Sequence, residues 1–315
     1  MLRVRVFADG RLLDGDESLL ETAGLKWVDV LKPDEAVLDT LAKRFGLHKL
    51  AIEDCLHLDQ RPKVEEYGDH QFVVLQGFST PSESWKDLEM HEMHFFLGKD
   101  WVISVHDKSH QCVDSTHKRL EADPANTIGR GVDFVMYLLA DALVDRNFPL
   151  LDCFAESLED LEERIFAEYP RREMLQETFQ LKRSLVEMRR VLSPQRDVVG
   201  LLAKRGVPQI GDRTALYFRD IFDHLMRIYE QLEASRDLVG AVVEAYLSQV
   251  ANRTNDVTKQ LTIFASIFMP LSFIVGFFGQ NFDVLGQPHF FYGMLASIVL
   301  LPAAMFAWFR HKEWF

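Results

Sequence analysis

LTIFASIFMPLSFIVGFF, Leu261–Phe278, is a run of 18 residues without a charge. Ten residues later HFFYGMLASIVLLPAAMFAWF, His289–Phe309, adds 21 more, with one histidine at its edge. Each is long enough to cross a hydrocarbon core of about 30 Å as a helix. Two such runs so close together leave too little polar surface for a pair of buried core helices. Arg253 and Lys259 precede the first run, and Arg310, His311 and Lys312 follow the second. The connecting loop has no basic residue, so positive charge predicts both termini in the cytoplasm and the loop outside. Trp308, Trp314 and Phe315 suit the membrane interface.

The first run carries a second pattern that reaches back into the polar sequence before it. Asn255, Thr258, Thr262, Ala265, Met269, Ser272 and Gly276 recur at spacings of three and four, with Ile, Phe and Leu largely elsewhere. On a helix these small and polar residues form one stripe. Such a stripe lets helices pack closely. It equally suits the wall of a narrow aqueous pathway, because polar groups facing lipid are costly. Two helices per chain cannot enclose a pathway, so the second possibility requires several copies.

Upstream, the chain from about Asp212 to Phe278 contains no proline except Pro270. A helix of that length would span roughly 100 Å, too long for a globular core but suited to a stalk entering a membrane. Gly206–Gly211, with Pro208, is a break, and before it Asp133–Phe166 and Glu173–Leu202 have helical periodicity. Residues 1 to about 107 read as mixed α and β. Leu2–Phe7 and Phe72–Leu75 are strands, and Trp27–Leu31 is a further apolar run. Pro33 and Gly46 bracket a helix through Val37, Leu38, Leu41, Ala42 and Phe45. His94–Leu97 and Trp101–Val105 flank Gly98-Lys99-Asp100 as a hairpin.

The resulting division is an α/β domain at 1–130, long helices at 131–211 and a stalk helix at 212–260. A first span follows at 261–279, then an external loop at 280–288, a second span at 289–309 and a tail at 310–315. The fold class is α+β with a stalk and two transmembrane helices.

From Leu261 onward two acids and two bases cancel, so the formal charge of -13 lies entirely in residues 1–260. An acidic domain is a poor partner for nucleic acid and a better one for cations. Cys55, Cys112 and Cys153 are odd in number and scattered, which fits a reducing compartment rather than a disulfide framework. No cleavable leader is evident at Met1–Gly10. No phosphate-binding loop or nucleophile motif supports ATP-driven pumping or an enzyme. His91-Glu92-x-His94 has the wrong spacing for a helical zinc motif, and on a strand His91 and His94 point to opposite faces.

NRTNDVTKQLTIFASIFMPLSFIVG closely resembles the corresponding stretch of the CorA family of divalent-cation transporters. The likeness continues in Trp27–Leu75, in VDRNFPLLDCFAESLEDLEERIF (Val144–Phe166) and in YFRDIFDH (Tyr217–His224), in the family's order. The resemblance implies a homopentameric funnel with two membrane helices per subunit, the first lining the pore of a gated Mg2+ channel in the cell membrane, with Co2+ or Ni2+ as further cargo. The family's pore positions fall on Asn255, Thr258, Leu261, Ala265, Met269, Ser272, Gly276 and Asn281, with Leu261 and Met269 as an apolar gate.

The family's Gly-Met-Asn reads Gly279-Gln280-Asn281 here. A ring of Asn281 amides suits a hydrated Mg2+, which gives up its water reluctantly. Gln280 in place of Met leaves the choice of ion open, and ZntB-like members of similar sequence imply proton-coupled Zn2+ import as an alternative. A membrane-anchored metal sensor without conduction is the alternative from another class. Asp283 is the lone loop acid: a solvated residue, or one of a ring that attracts cations. Asp220 matches an acidic position at which the family binds regulatory Mg2+ between subunits. A solvated helix charge is the plain alternative, and its partner on the neighbouring subunit is not evident from sequence.

Overall fold

The structure is a computed structural model and describes residues 1–57, 60–80, 84–280, 287–312 and 314. Its contacts divide the chain into two compact units. One comprises Met1–Arg164 and Arg171–Val243, the other Ile165–Pro170 and Glu244–Phe315.

The first unit is built on a seven-stranded sheet. Its strands are β1 (Leu2–Ala8), β2 (Arg11–Gly15), β3 (Leu25–Leu31), β4 (Lys63–Tyr67), β5 (His70–Ser79), β6 (Glu89–Leu97) and β7 (Trp101–His106). Their order is β2-β1-β3-β7-β6-β5-β4. Every neighbouring pair is antiparallel except β3 and β7, which run parallel with Val28 opposite Ile103. The β6–β7 hairpin turns at the Gly98-Lys99-Asp100 segment, with Leu97 opposite Val102.

Alternation along the strands decides which helices cover each face. Val4, Val6, Val28, Val30, Phe72, Val74, Phe96, Ile103 and Val105 form one core with α1 (Glu35–Phe45) and α2 (Lys49–Leu56). Asp34 caps α1, accepting from the Val37 amide at 2.8 Å, and Gly46 ends it at φ 68°, a left-handed conformation that favours glycine. The opposite face is covered by α3 (Gln111–Ala122) and α4 (Val132–Asp145). α4 comes so close to β5 that a Cβ at Gly77 would lie 2.6 Å from Leu143 Cδ1.

The periodic stretch Asp133–Phe166 is two helices, since α4 ends at Asp145 and α5 (Asn147–Ala167) begins after Arg146. The buried Asn147 amide donates to the Val144 carbonyl at this joint, at 2.7 Å. α6 (Arg172–Leu202) follows and runs through Pro194. α7 is a single helix of 67 residues, Asp212–Phe278, uninterrupted at Pro270. Asp133, at the start of α4, accepts from the Gly211 amide at 2.9 Å just ahead of α7.

The second unit contains the end of α7 from Glu244 and α8 (Pro288–His311). These are two helices long and apolar enough to cross a membrane, and the apolar windows within them are almost entirely uncovered. Phe264, Phe268, Phe273 and Phe277 of α7 and Phe291, Tyr292, Val299 and Leu300 of α8 are exposed. In water this would be prohibitive; against lipid it is expected.

Candidate functional site

In α7 each residue advances about 100° around the axis. Ile263, Ile267, Pro270, Ile274 and Phe278 are buried or half-covered and gather on one side. Asn255, Thr258, Leu261, Ala265, Met269, Ser272 and Gly276 are all exposed. They centre on the opposite side, about 180° away. Leu261 is 67% exposed and Met269 73%, although both are large and apolar. Among the described residues nothing lies within 4 Å of where a Cβ at Gly276 would be. Among the described residues, therefore, nothing of the chain itself packs on the small and polar stripe. Thr262 returns its hydroxyl to the Thr258 carbonyl at 2.8 Å, which meets its own need for a partner inside an apolar span.

α7 ends in a tight turn, with the Gly279 amide on the Val275 carbonyl at 2.9 Å and that of Gln280 on Phe277 at 3.2 Å. Gly279 and Gln280 are exposed at this end. Asn281 and Asp283 lie outside the described residues, as does Phe315. The two cations before the first span are held within the second unit. Arg253 stacks over Tyr169 at 5.4 Å, and Lys259 over Trp314 at 5.9 Å.

Asp220 lies in the first unit, 61% exposed on α7. One helical turn on, His224 Nε2 is 3.8 Å from its carboxylate, and His224 Nδ1 is 2.8 Å from Asp145 of α4. Asp141, Asp145 and His224 each place a ligand atom within 4.8 Å of the others. Burial pushes the Asp141 carboxyl up to about 6, helped by the negative charges of Asp145 and Asp220 and opposed by His224. Three acids crowded around one imidazole hold more negative charge than the site can neutralise, which is what a divalent cation corrects.

Asp141, Asp145 and His224 did not emerge from the sequence. Asp141 and Asp145 are four apart on α4, and Asp220 and His224 four apart on α7, so each pair shares a helix face. That repeat was the available signal, but nothing in the sequence sets the two helices side by side.

His91 and His94 lie on opposite faces of β6, as their spacing predicts. His94 Nδ1 meets Cys55 Sγ of α2 at 3.2 Å, whereas the His91 ring packs edge-on against His110 at the start of α3.

The family model described as CorA-like Mg2+ transporter protein matches residues 22–311. A cobalt/magnesium transport protein CorA of Thermotoga maritima is 37% identical over 88% of this chain and 80% of its own. A putative metal ion transporter of Bacillus subtilis is 33% identical over 92% and 89%. Among solved structures, the complete CorA magnesium transporter of Methanocaldococcus jannaschii superposes with a TM-score of 0.87 at 21% identity, covering 100% of this chain and 99% of that one. The cytoplasmic domain of ZntB from Vibrio parahaemolyticus superposes at 0.62 and 12% identity over 80% of this chain and 98% of its own.

Proposed function

Because the chain belongs to the CorA-like Mg2+ transporter family, we propose that it is a membrane protein whose copies assemble as a homopentamer and conduct Mg2+ through a pore lined by α7. One observation carries this. A stripe of small and polar residues lies bare on an apolar helix, opposite the side that its own chain covers. In lipid that stripe is costly unless other copies face it, and a ring of identical stripes encloses water.

Leu261 and Met269 form two apolar collars that close the pathway by excluding water, while Asn255, Thr258 and Ser272 offer oxygens to a hydrated ion. Gly279, Gln280 and Asn281 stand at the entrance, which the charge pattern places outside, with both termini in the cytoplasm. An ion recognised through its water shell favours Mg2+, which sheds water slowly, and Co2+ and Ni2+ share its hydrated size and octahedral shell closely enough to follow.

The acidic group Asp141, Asp145, Asp220 and His224 is the regulatory cation site of this proposal. A bound ion cancels the repulsion among the carboxylates and favours the closed state; its loss releases them. Asp220 and His224 lie on α7, the helix that also carries the stripe.

Purified full-length chain in liposomes, offered a panel of divalent ions, tests the proposal. Uptake of Mg2+ without a pH gradient is the expected result. Zn2+ uptake that requires a pH gradient, with no Mg2+ uptake, would replace the Mg2+ assignment by proton-coupled Zn2+ import. No uptake of any ion would leave a metal sensor and end the transport proposal.

A further inference from the structure

The turn between α5 and α6, Ile165–Pro170, belongs to the unit that holds both apolar spans, not to the unit of the sheet. Ile165 is buried, whereas Phe166 is 58% and Tyr169 63% exposed. Arg171 and Arg172 follow at the start of α6 and are exposed as well. Neither the α7 stripe nor the Asp141 group makes use of this turn.

A cation–π contact fixes its level along α7. The Arg253 guanidinium lies over the Tyr169 ring at 5.4 Å. Arg253 precedes Leu261, where the uncharged run begins, by eight residues. On a helix that is about 12 Å along the axis. The headgroup layer takes up about 5–8 Å of this distance. The turn therefore stands within a Debye length, about 8 Å at physiological salt, of the lipid headgroups. Between the two levels Lys259 lies over Trp314 at 5.9 Å, and Trp314 stacks on Phe309 at 5.4 Å. These contacts bring the end of the second span, with Arg310 and Lys312, to the start of the first.

The sign of the charge reverses in this zone. Residues 1–260 carry a formal charge of -13. Yet residues 165–172, 253–259 and 310–314 together hold Arg171, Arg172, Arg253, Lys259, Arg310 and Lys312 against Glu168, Asp256 and Glu313. Among the described residues Arg172, Arg253, Arg310 and Lys312 form no ion pair. Exposed rings beside unneutralised cations are the chemistry of the headgroup zone, where aromatic side chains sit at the interface and Lys and Arg meet anionic lipid. An acidic body would otherwise be repelled by an anionic leaflet.

We propose that the α5–α6 turn is a foot that binds anionic phospholipid of the cytoplasmic leaflet, with Phe166 and Tyr169 facing the headgroups and Arg172 and Arg253 meeting their phosphates. The foot depends on the membrane insertion of α7 and α8 proposed above. It adjoins a surface that already faces lipid, so the partner that covers the spans also reaches the turn.

The test uses full-length chain with Cys153→Ser and Phe166→Cys, labelled at position 166 with a polarity-sensitive fluorophore, since Cys55 and Cys112 are buried. It is placed in nanodiscs of phosphatidylcholine, or of phosphatidylcholine mixed with phosphatidylglycerol. In the mixed discs the emission is expected to shift to the blue and to be quenched by a spin label on the lipid headgroup. In phosphatidylcholine alone both effects are small. Arg172→Glu with Arg253→Glu lowers the quenching in mixed discs by about fivefold or more, and high salt acts in the same direction. Equal quenching in the two lipids overturns the foot, as does unchanged quenching in the charge-reversed chain. An equal blue shift in detergent without phospholipid also overturns it, and shows a neighbouring copy of the chain covering the turn. Should the double variant fail to fold, Arg172→Glu alone decides. Quenching of Trp308 by brominated acyl chains is the insertion control. Its loss ends the membrane reading and the foot with it; its retention beside an unquenched label ends the foot alone.

Discussion

Asp145 occupies the junction of α4 and α5, hydrogen-bonded to His224 and half exposed to solvent. Asp145→Asn removes one charge from the proposed regulatory site while keeping its shape. The internal Mg2+ needed to halve the flux in liposomes should rise by about tenfold, and an unchanged value would dissociate the cluster from closure. A second residue-scale effect concerns His110. Burial, with the positive charges of His106, His91 and Arg146, lowers it to about 3. It stays neutral in the fold, while the unfolded chain takes up its proton near pH 6.5. The contribution is therefore full above about pH 6.5 and shrinks as pH falls toward 3. Between pH 7 and 5 the EDTA-treated protein should lose on the order of 2 kcal/mol through this group. His110→Gln should flatten the fall of Tm over that range. His106, raised by its hydrogen bond and charge pairing with Asp29 against the opposing effect of burial, acts in the other direction and is lost as pH rises.

At the scale of the helix, α7 presents two sides of different character, and they predict a periodic pattern of reactivity. In a chain with Cys153 replaced by Ser, Cys55 and Cys112 remain buried. Cysteines placed singly at Ala265, Ser272 and Gly276 should be modified by a charged thiol reagent, with loss of flux. Cysteines at Ile263, Ile267 and Ile274 should be spared. Uniform labelling around the helix would contradict an aqueous stripe. The joint between α4 and β5 gives a separate, structural expectation. Gly77→Ala forces Leu143 out of its place, since a Cβ there would meet Leu143 Cδ1 and Cγ within 3 Å. A destabilisation of about 1–3 kcal/mol should appear as a lowered Tm. Leu143→Ala in the same chain should recover part of it.

At the scale of the whole molecule, a 36.4 kDa chain cannot surround an ion with one α7. Native mass spectrometry in detergent should give five times the chain mass plus bound detergent or lipid. A monomer that still conducts would be incompatible with the proposed pore. The membrane spans, their helical character, the unbroken α7 and the bare stripe were legible in the sequence because each depends on local chemistry. A run of uncharged residues dictates a helix in lipid, and a period of 3.6 dictates which residues share its side. The α1 helix was equally legible, from the proline and glycine that bracket it. The joint at Arg146 was not, because apolar spacing continues across it and the break is made by buried Asn147.

The sequence by itself determined the class of molecule: an acidic α+β domain, a long helix and two apolar spans with one polar side. It could not bring Asp141 and Asp145 to His224, or Asp29 to His106 and His117. The partners that meet lie between 77 and 88 positions apart in the chain. Only the packing of α4 on α7, and of α3 over β3 and β7, makes them neighbours. Periodicity records which side of an element is apolar, but not which other element covers it. That choice is made by the shape of the whole core.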